Sequence, residues 1–275
     1  MSGNQDQQTR PIAIVTGASG GIGEATARAL HAAGYRVFGT SRRAPVTKSP
    51  GIEYLICDVT SDESIQAAVA EVLSKAGRVD LLVNNAGVGL VAGAEESSVE
   101  QAKSLFDVNL FGVFRLTNAV LPTMRRQGAG RIVNISSVLG LIPAPFMALY
   151  AASKHALEGY SESLDHEIRS SGIRVVLVEP YYTRTSFDGN VYQADQQLEV
   201  YQSARTNAEG VVRDEMKAAD TPELVARAVV KASTDTNPPP RYAAGRRARQ
   251  VSLLRRFVPG SAFDKSLRKQ MRLPA

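Results

Sequence analysis

The sequence has one cysteine, Cys57, and therefore no intrachain disulfide. Set in the apolar run from Tyr54 to Cys57, that thiol reads as buried filler and not as a nucleophile, so redox chemistry would have to come from a cofactor. No stretch of about 18 uncharged apolar residues occurs, and no membrane-spanning helix is expected. The first ten residues are polar and Gln-rich, without the basic-then-apolar order of a secretory signal, which predicts a soluble, cytoplasmic protein. Internal repeats and low-complexity stretches are also missing, and Asn237-Pro238-Pro239-Pro240 is too short for an interdomain linker. With 44% apolar and 21% charged residues over 275 positions, one domain can build a full core.

Acidic residues are scarce at the C-terminal end. From Arg241 to Arg272 there are eight arginines and two lysines against one acid, Asp264, so the net charge of +5 is local and the remainder of the chain is net negative. A basic tail on a near-neutral body does not make a nucleic-acid-binding protein, and none is expected. Val251, Leu253, Leu254, Phe257 and Val258 lie among those arginines, a pattern that suits a subunit or domain contact and, as an alternative, a membrane-surface contact.

Apolar runs of strand length recur at Ile12–Thr16, Arg36–Thr40, Ile52–Cys57, Val79–Val83, Arg131–Ser136 and Ile173–Val178, with a shorter one at Arg241–Ala244. They are nearly continuous instead of alternating, as in strands buried on both faces of a parallel sheet. The segments between them carry helical spacing, such as Ala25, Ala29, Leu30 and Ala33. Strands alternating with helices predict an α/β fold: a doubly wound, Rossmann-type parallel sheet of about seven strands, helices on both faces, in a single domain. Residues 10–245 would form that sheet domain and residues 246–275 a basic extension packed on or flanking it.

Ligands of such sheets bind at the carboxyl ends of the strands, and the residues there carry the chemistry. After the first strand comes Thr16-Gly17-Ala18-Ser19-Gly20-Gly21-Ile22-Gly23, then a helix ended by Gly34. Strand, glycine turn and helix in that order make a pyrophosphate cradle, because a Cβ on the turn would hold the anion away from the backbone N–H groups. The acid that would bind a ribose 2′-hydroxyl after the second strand is absent; Thr40-Ser41-Arg42-Arg43 stands there. Guanidiniums and hydroxyls suit a 2′-phosphate, so NADP(H) is expected, with Arg42 first and Ser41 or Ser19 assisting. Asp58-Val59 follows the third strand and Asn84-Asn85-Ala86-Gly87 the fourth. Further on, Tyr150 and Lys154 are one helical turn apart, thirteen residues after Ser137 at the end of the fifth strand. A nearby ammonium favours a phenolate, which would fit Tyr150 for proton transfer. His155 points away from that pair and reads as structural.

These motifs together, over about residues 11–185, resemble the short-chain dehydrogenase/reductase superfamily, and the Glu179–Thr185 stretch, with Phe187 after it, is similar to its hydroxysteroid and retinol dehydrogenase branch. The resemblance implies that Asp58 accepts from the adenine amino group, that Asn85, Ala86 and Gly87 lie beside the adenosine ribose, and that Asn84 is structural. It implies that Ser137 holds the substrate oxygen while Ser136 points elsewhere, that Tyr150 gives or takes the proton, and that Lys154 binds the nicotinamide ribose and acidifies the tyrosine. Asn109, in the helix before the fifth strand, would anchor a relay water through its carbonyl. Pro180, the Thr183 backbone and the Thr185 hydroxyl would sit near the carboxamide. Tyr181 replaces the usual glycine, either narrowing the substrate side or filling space. The expected activity is carbonyl–alcohol interconversion on a small lipophilic substrate, suggested by the apolar Leu139–Leu149 segment. The alternative is a non-catalytic NADP(H) sensor, against which the intact Ser137, Tyr150 and Lys154 argue. No metal is called for. Family members are usually dimers or tetramers built on helices around Leu105–Met124 and Tyr150–Arg169. The polar segment from Asn190 to Ala219 reads as helical, a lid or a solvated pair of helices.

Overall fold

In Ile12-Ala13-Ile14-Val15 the pleat sends alternate side chains to opposite faces, and all four are at most 2% exposed, so this strand needs cover on both sides. The computed structural model describes residues 10–185 and 191–273 and supplies that cover; Phe187, Asn190 and the N-terminal nine residues lie outside the described range. The strands are β1 (Ile12–Thr16), β2 (Arg36–Ser41), β3 (Ile52–Ile56), β4 (Leu81–Asn84), β5 (Gly89–Val91), β6 (Gly130–Ile135), β7 (Ile173–Pro180), β8 (Val191–Gln193) and β9 (Arg241–Ala244). The helices are α1 (Gly21–Ala32), α2 (Asp62–Ala76), α3 (Val99–Phe106), α4 (Gly112–Gln127), α5 (Ala148–Ile168), α6 (Gln202–Lys217), α7 (Pro222–Thr234), α8 (Arg246–Phe257) and α9 (Gly260–Gln270).

Seven strands form one sheet in the order β3-β2-β1-β4-β6-β7-β9, with every pair parallel. Ile12 and Ile14 pack with α2 and α4 through Ile65, Val72, Leu116 and Met124. Ala13 and Val15 pack with α1 and α7 through Leu30, Val225 and Val229. The sheet is thus doubly wound. The chain runs outward from β1 through β2 to β3, then returns to β4 on the other side, so the loops after β1 and β4 diverge and open a crevice at the carboxyl edge.

All seven expected strands form, with ends shifted by a residue or two; the fourth begins at Leu81 instead of Val79. Burial on both faces does not hold for β3, an edge strand whose Ile56 is 57% exposed. The segment expected to be helical up to Ala219 instead begins as β8, which pairs in parallel with β5, and is α-helical only from Gln202. The pairing partner, Gly89–Val91, is about 100 residues away, beyond the reach of local periodicity. No helix among the described residues is long and apolar enough to cross a membrane.

One ion cluster fastens α5 to β7. Asp165, 2% exposed, accepts from the Val175 N–H at 2.8 Å and Arg174 Nε at 2.9 Å, and pairs with Arg169. Burial alone would raise its carboxyl, but the hydrogen bonds from Arg174, Val175 and Arg169 hold it below the ordinary aspartate value. A folded value below the unfolded one means the stabilisation is present in full above about pH 4 and is lost as pH falls through the folded value. Asp165→Ala should lower the unfolding free energy by about 3–5 kcal/mol in chemical denaturation at neutral pH, because two arginines lose a buried partner. A loss below about 1 kcal/mol would show that these ions do not fasten the two elements.

Candidate active site

At the crevice, the end of β1 is tied to the end of β4. The Thr16 hydroxyl accepts the N–H groups of Asn85 and Ala86, each at 2.9 Å, while Asn85 Nδ2 donates to the Thr16 carbonyl at 2.8 Å. The chain turns at Gly17 with φ +66, and a Cβ at Gly23 would stand 2.1 Å from the Gly17 oxygen and 2.5 Å from Asn85 Nδ2. Only glycine fits at Gly23. Gly20 caps α1 without a side-chain hydrogen bond, and the first helical bond runs from Glu24 N to the Gly20 oxygen. The N–H groups of Gly21, Ile22 and Gly23 therefore have no intrahelical acceptor, and they offer a phosphate a cradle that no Cβ fills. The residues present fit a dinucleotide.

Of the sequence-predicted site residues, all but Gly23 and Asn109 line one cavity of about 750 Å³. The Asn85 amide braces the glycine turn from the cavity wall, donating to the Thr16 and Gly17 carbonyls. The Ser41 hydroxyl is buried and spends its proton on the Arg43 carbonyl at 2.6 Å, so the exposed Arg42, which lines the cavity, is the cation placed to donate there. Asp58 Oδ1 accepts the N–H and hydroxyl of Thr60 at 2.9 and 2.8 Å; that backbone bond chiefly, and Arg42 in part, hold its carboxyl below the usual range. Thr185 packs over Gly21, where an added Cβ would come within 3.1 Å of its Cβ, and the Thr183 hydroxyl donates to the Tyr181 oxygen at 2.9 Å.

Tyr150 and Lys154 project from the first turns of α5. Lys154, 6% exposed, donates to the Ile135 carbonyl at 2.9 Å and stands 5.8 Å from the Tyr150 ring centre. Burial pulls its ammonium down to about 8. Burial also pushes the half-buried Tyr150 phenol up to about 12, against which the Ser137 hydroxyl pulls it back. In the protein alone desolvation therefore outweighs the favourable influences on the phenolate, and the phenol is not the acidic one that the spacing suggested. Ser137 itself accepts the Leu139 N–H at 3.2 Å. Its neighbour Ser136 is 3% exposed, and its hydroxyl has no partner among the described residues, so it packs and does not cap.

Asn109 lies in the expected long helix, at a π turn, Asp107–Phe111, that joins α3 to α4 without a break and where Gly112 N reaches the Asp107 oxygen five residues back. Its amide is fully used. Oδ1 accepts the Val88 N–H at 2.8 Å, and Nδ2 donates to the Val88 oxygen at 2.9 Å and to Ser153 Oγ at 3.3 Å. Ser153 in turn donates to the Tyr150 carbonyl at 2.7 Å, so Asn109 braces the backbone of Tyr150. Nearby Asn84 donates to Asn134 Oδ1 at 2.9 Å, a structural bond between β4 and β6. His155 is exposed, and its Nδ1 bonds the Ala151 carbonyl.

Leu139, Ile142 and Met147 line the far wall of the cavity as the apolar segment suggests, and Met216 of α6 lines it as a lid would, but the contributions of Val251 of α8 and of Leu267 and Met271 of the tail were not foreseen. The basic extension is therefore part of the site. Tyr181 joins these parts: its ring meets Tyr182 edge-on at 4.9 Å, Arg247 of α8 stands 5.9 Å over it, and burial followed by the Glu215 carboxylate pushes its phenol far up. The inward spacing of Ala248 and Val251 marks an apolar helix face in the sequence, but nothing local says what that face covers.

Behind Lys154 lies a second unforeseen group. One turn further along α5, Glu158 Oε2 meets Arg241 Nε at 2.8 Å; the same nitrogen is 3.2 Å from Glu179 Oε1, and Arg241 also pairs with Glu162. Burial, then the neighbouring Glu158, push Glu179 up to about 8, although Arg241 opposes them.

The comparisons agree with this geometry. A family model for short chain dehydrogenase matches residues 11–196. A 3-ketodihydrosphingosine reductase of Bacteroides thetaiotaomicron is 36% identical over 236 residues, spanning 85% of this chain and 87% of that protein. An uncharacterized oxidoreductase of Escherichia coli, YbbO, is 36% identical over 261 residues, spanning 92% and 93%. The crystal structure of a short-chain dehydrogenase from Streptomyces avermitilis matches with a TM-score of 0.80 at 35% identity, covering 96% of this chain and 95% of that one.

The Glu179 proton gives a pH test. Its folded pKa lies above the unfolded value, so its contribution is fully present below about pH 4 and is lost as pH rises toward about 8, at up to about 1.4 kcal/mol per unit. Glu179→Gln removes that loss, and its melting temperature should gain on the wild type between about pH 5 and pH 9. A constant difference across that range would mean Glu179 is ionised throughout.

Proposed function

The chain belongs to the short-chain dehydrogenase family, and from that premise we propose that it is an NADP(H)-dependent oxidoreductase that interconverts a lipophilic ketone or aldehyde and its alcohol. The observation that carries the reading is that Ser137, Tyr150 and Lys154 share one cavity with the uncapped glycine turn and a largely apolar wall. The resemblance of Glu179–Thr185 to hydroxysteroid and retinol dehydrogenases points the same way, as does the lipid named for the Bacteroides relative. Exposed Arg42, with no acid at the end of β2, supports a 2′-phosphate over a free ribose hydroxyl.

The dinucleotide, when bound, supplies the hydride in reduction and accepts it in oxidation. The protein does the rest. Ser137 holds the carbonyl oxygen, and the Tyr150 phenol, kept neutral by burial, donates its proton to that oxygen as negative charge develops there. Lys154, anchored on the Ile135 carbonyl, has two further N–H donors for ribose hydroxyls, and its charge stabilises the phenolate left behind. Oxidation reverses these proton movements. The backbone carbonyl of Asn109, in the widened turn, is the anchor we assign to a water that reprotonates the pair. Assembly as a dimer or tetramer would cover Phe111, which is 44% exposed on the α4 side.

Absorbance of the nicotinamide with a panel of lipophilic carbonyls, using NADPH and NADH in parallel, tests the reading. Turnover with NADPH is expected. Binding of NADPH with no turnover of any carbonyl would favour a sensor. Tyr150→Phe should keep the dinucleotide affinity and lose at least about a hundredfold in kcat; unchanged kcat would remove Tyr150 from the reaction. Arg42→Ala should raise the KM for NADPH about tenfold or more, and leave that for NADH nearly unchanged, because a charged hydrogen bond to the 2′-phosphate is lost. Equal effects on both cofactors would refute the 2′-phosphate contact.

A further inference from the structure

Helix α8 presents two unlike faces. Ala248 is fully buried and Val251 lines the cavity, yet on the opposite side Leu253, Leu254 and Phe257 are 47%, 52% and 72% exposed. Single exposed apolar residues are ordinary, but three within five positions of one helix are not. They are ringed by cations. Arg247 and Arg272 have carboxylate partners, whereas Arg246, Arg249, Arg255, Arg256, Lys265 and Lys269 have no ion pair among the described residues. The Arg256 guanidinium lies 5.6 Å over the Phe257 ring, and Arg255 lies 5.4 Å over Phe263 of α9, so positive charge sits directly on the apolar strip.

We propose that this outer face of α8 and α9 docks on an anionic lipid bilayer surface, with Leu253, Leu254 and Phe257 entering the boundary below the headgroups and the unpaired arginines on the phosphates. Charge complementarity selects this occupant. An isologous contact with a second copy would set the same arginines against each other, since the patch on both subunits is identical. A nucleic acid would match the cations but leave the leucines without an apolar partner. A basic helix with an apolar strip on its outward side suits the bilayer interface on both counts. The inward residues of the same two helices, Val251 and Leu267, line the cavity, so docking brings the cavity wall to the lipid. The proposal does not depend on the reaction, because its test reads no turnover.

The full-length protein should co-float with phosphatidylcholine vesicles that contain roughly 30% phosphatidylglycerol, should not with pure phosphatidylcholine, and should release as salt rises. The double substitutions Leu254→Ser/Phe257→Ser and Arg255→Glu/Arg256→Glu should each lower vesicle binding at least tenfold, with unchanged melting temperatures. Equal flotation with neutral vesicles, no flotation, or full binding by both double variants would overturn the proposal. So would self-association of the wild type that is lost in Leu254→Ser/Phe257→Ser without any vesicle binding.

Discussion

The Thr16 hydroxyl, by accepting the Asn85 and Ala86 N–H groups, closes the sheet at the point where its strand order reverses. Parallel strands on either side of that point send their connections in opposite directions, and the edge would gape without a bond across it. The tie draws the loop after β4 against the glycine turn so tightly that Gly23 has no room for a Cβ. The same closeness frees the first N–H groups of α1 to face a ligand. The cradle is thus a consequence of one buried hydroxyl, and the glycines are what that proximity requires.

Desolvation governs the chemistry at the other end of the cavity. It lowers Lys154 and raises Tyr150, so at neutral pH the site holds a neutral phenol beside an ammonium that is close to losing its proton. For the carbonyl reduction proposed above, that is a suitable resting state of a proton donor, and the positive charge matters most once the phenol has ionised. Geometry is held from behind. Asn109 and Ser153 fix the start of α5, the Ile135 carbonyl fixes the lysine, and Arg241 gathers the carboxylates of Glu158, Glu162 and Glu179 one turn further along.

The tail changes what kind of cavity this is. With Val251, Leu267 and Met271 in its wall, the pocket is closed by elements from the last 30 residues as well as by the loops of the sheet. Tyr181 makes the connection, since its ring lies between Tyr182 and the Arg247 guanidinium of α8. A glycine at that position would leave α8 without this contact, so the departure from the usual family residue and the presence of a folded basic extension belong together.

Local order in the chain determined a great deal here. Continuous apolar runs marked the buried strands, the turn from Gly17 to Gly23 marked the uncapped start of α1, and the Tyr150–Lys154 spacing marked two polar side chains that share the cavity, because each of these is a property of neighbouring residues and a fixed backbone period. Only the tertiary structure decided the β5–β8 pair, the π turn under Asn109, the Glu158–Arg241–Glu179 cluster and the inward face of α8. The β pair, the carboxylate cluster, the α8 face and the bonds that hold the Asn109 side chain join residues tens to more than a hundred positions apart, and the ionisation of the buried groups depends on burial. Burial is a property of the whole packed chain, and no short stretch of sequence contains it.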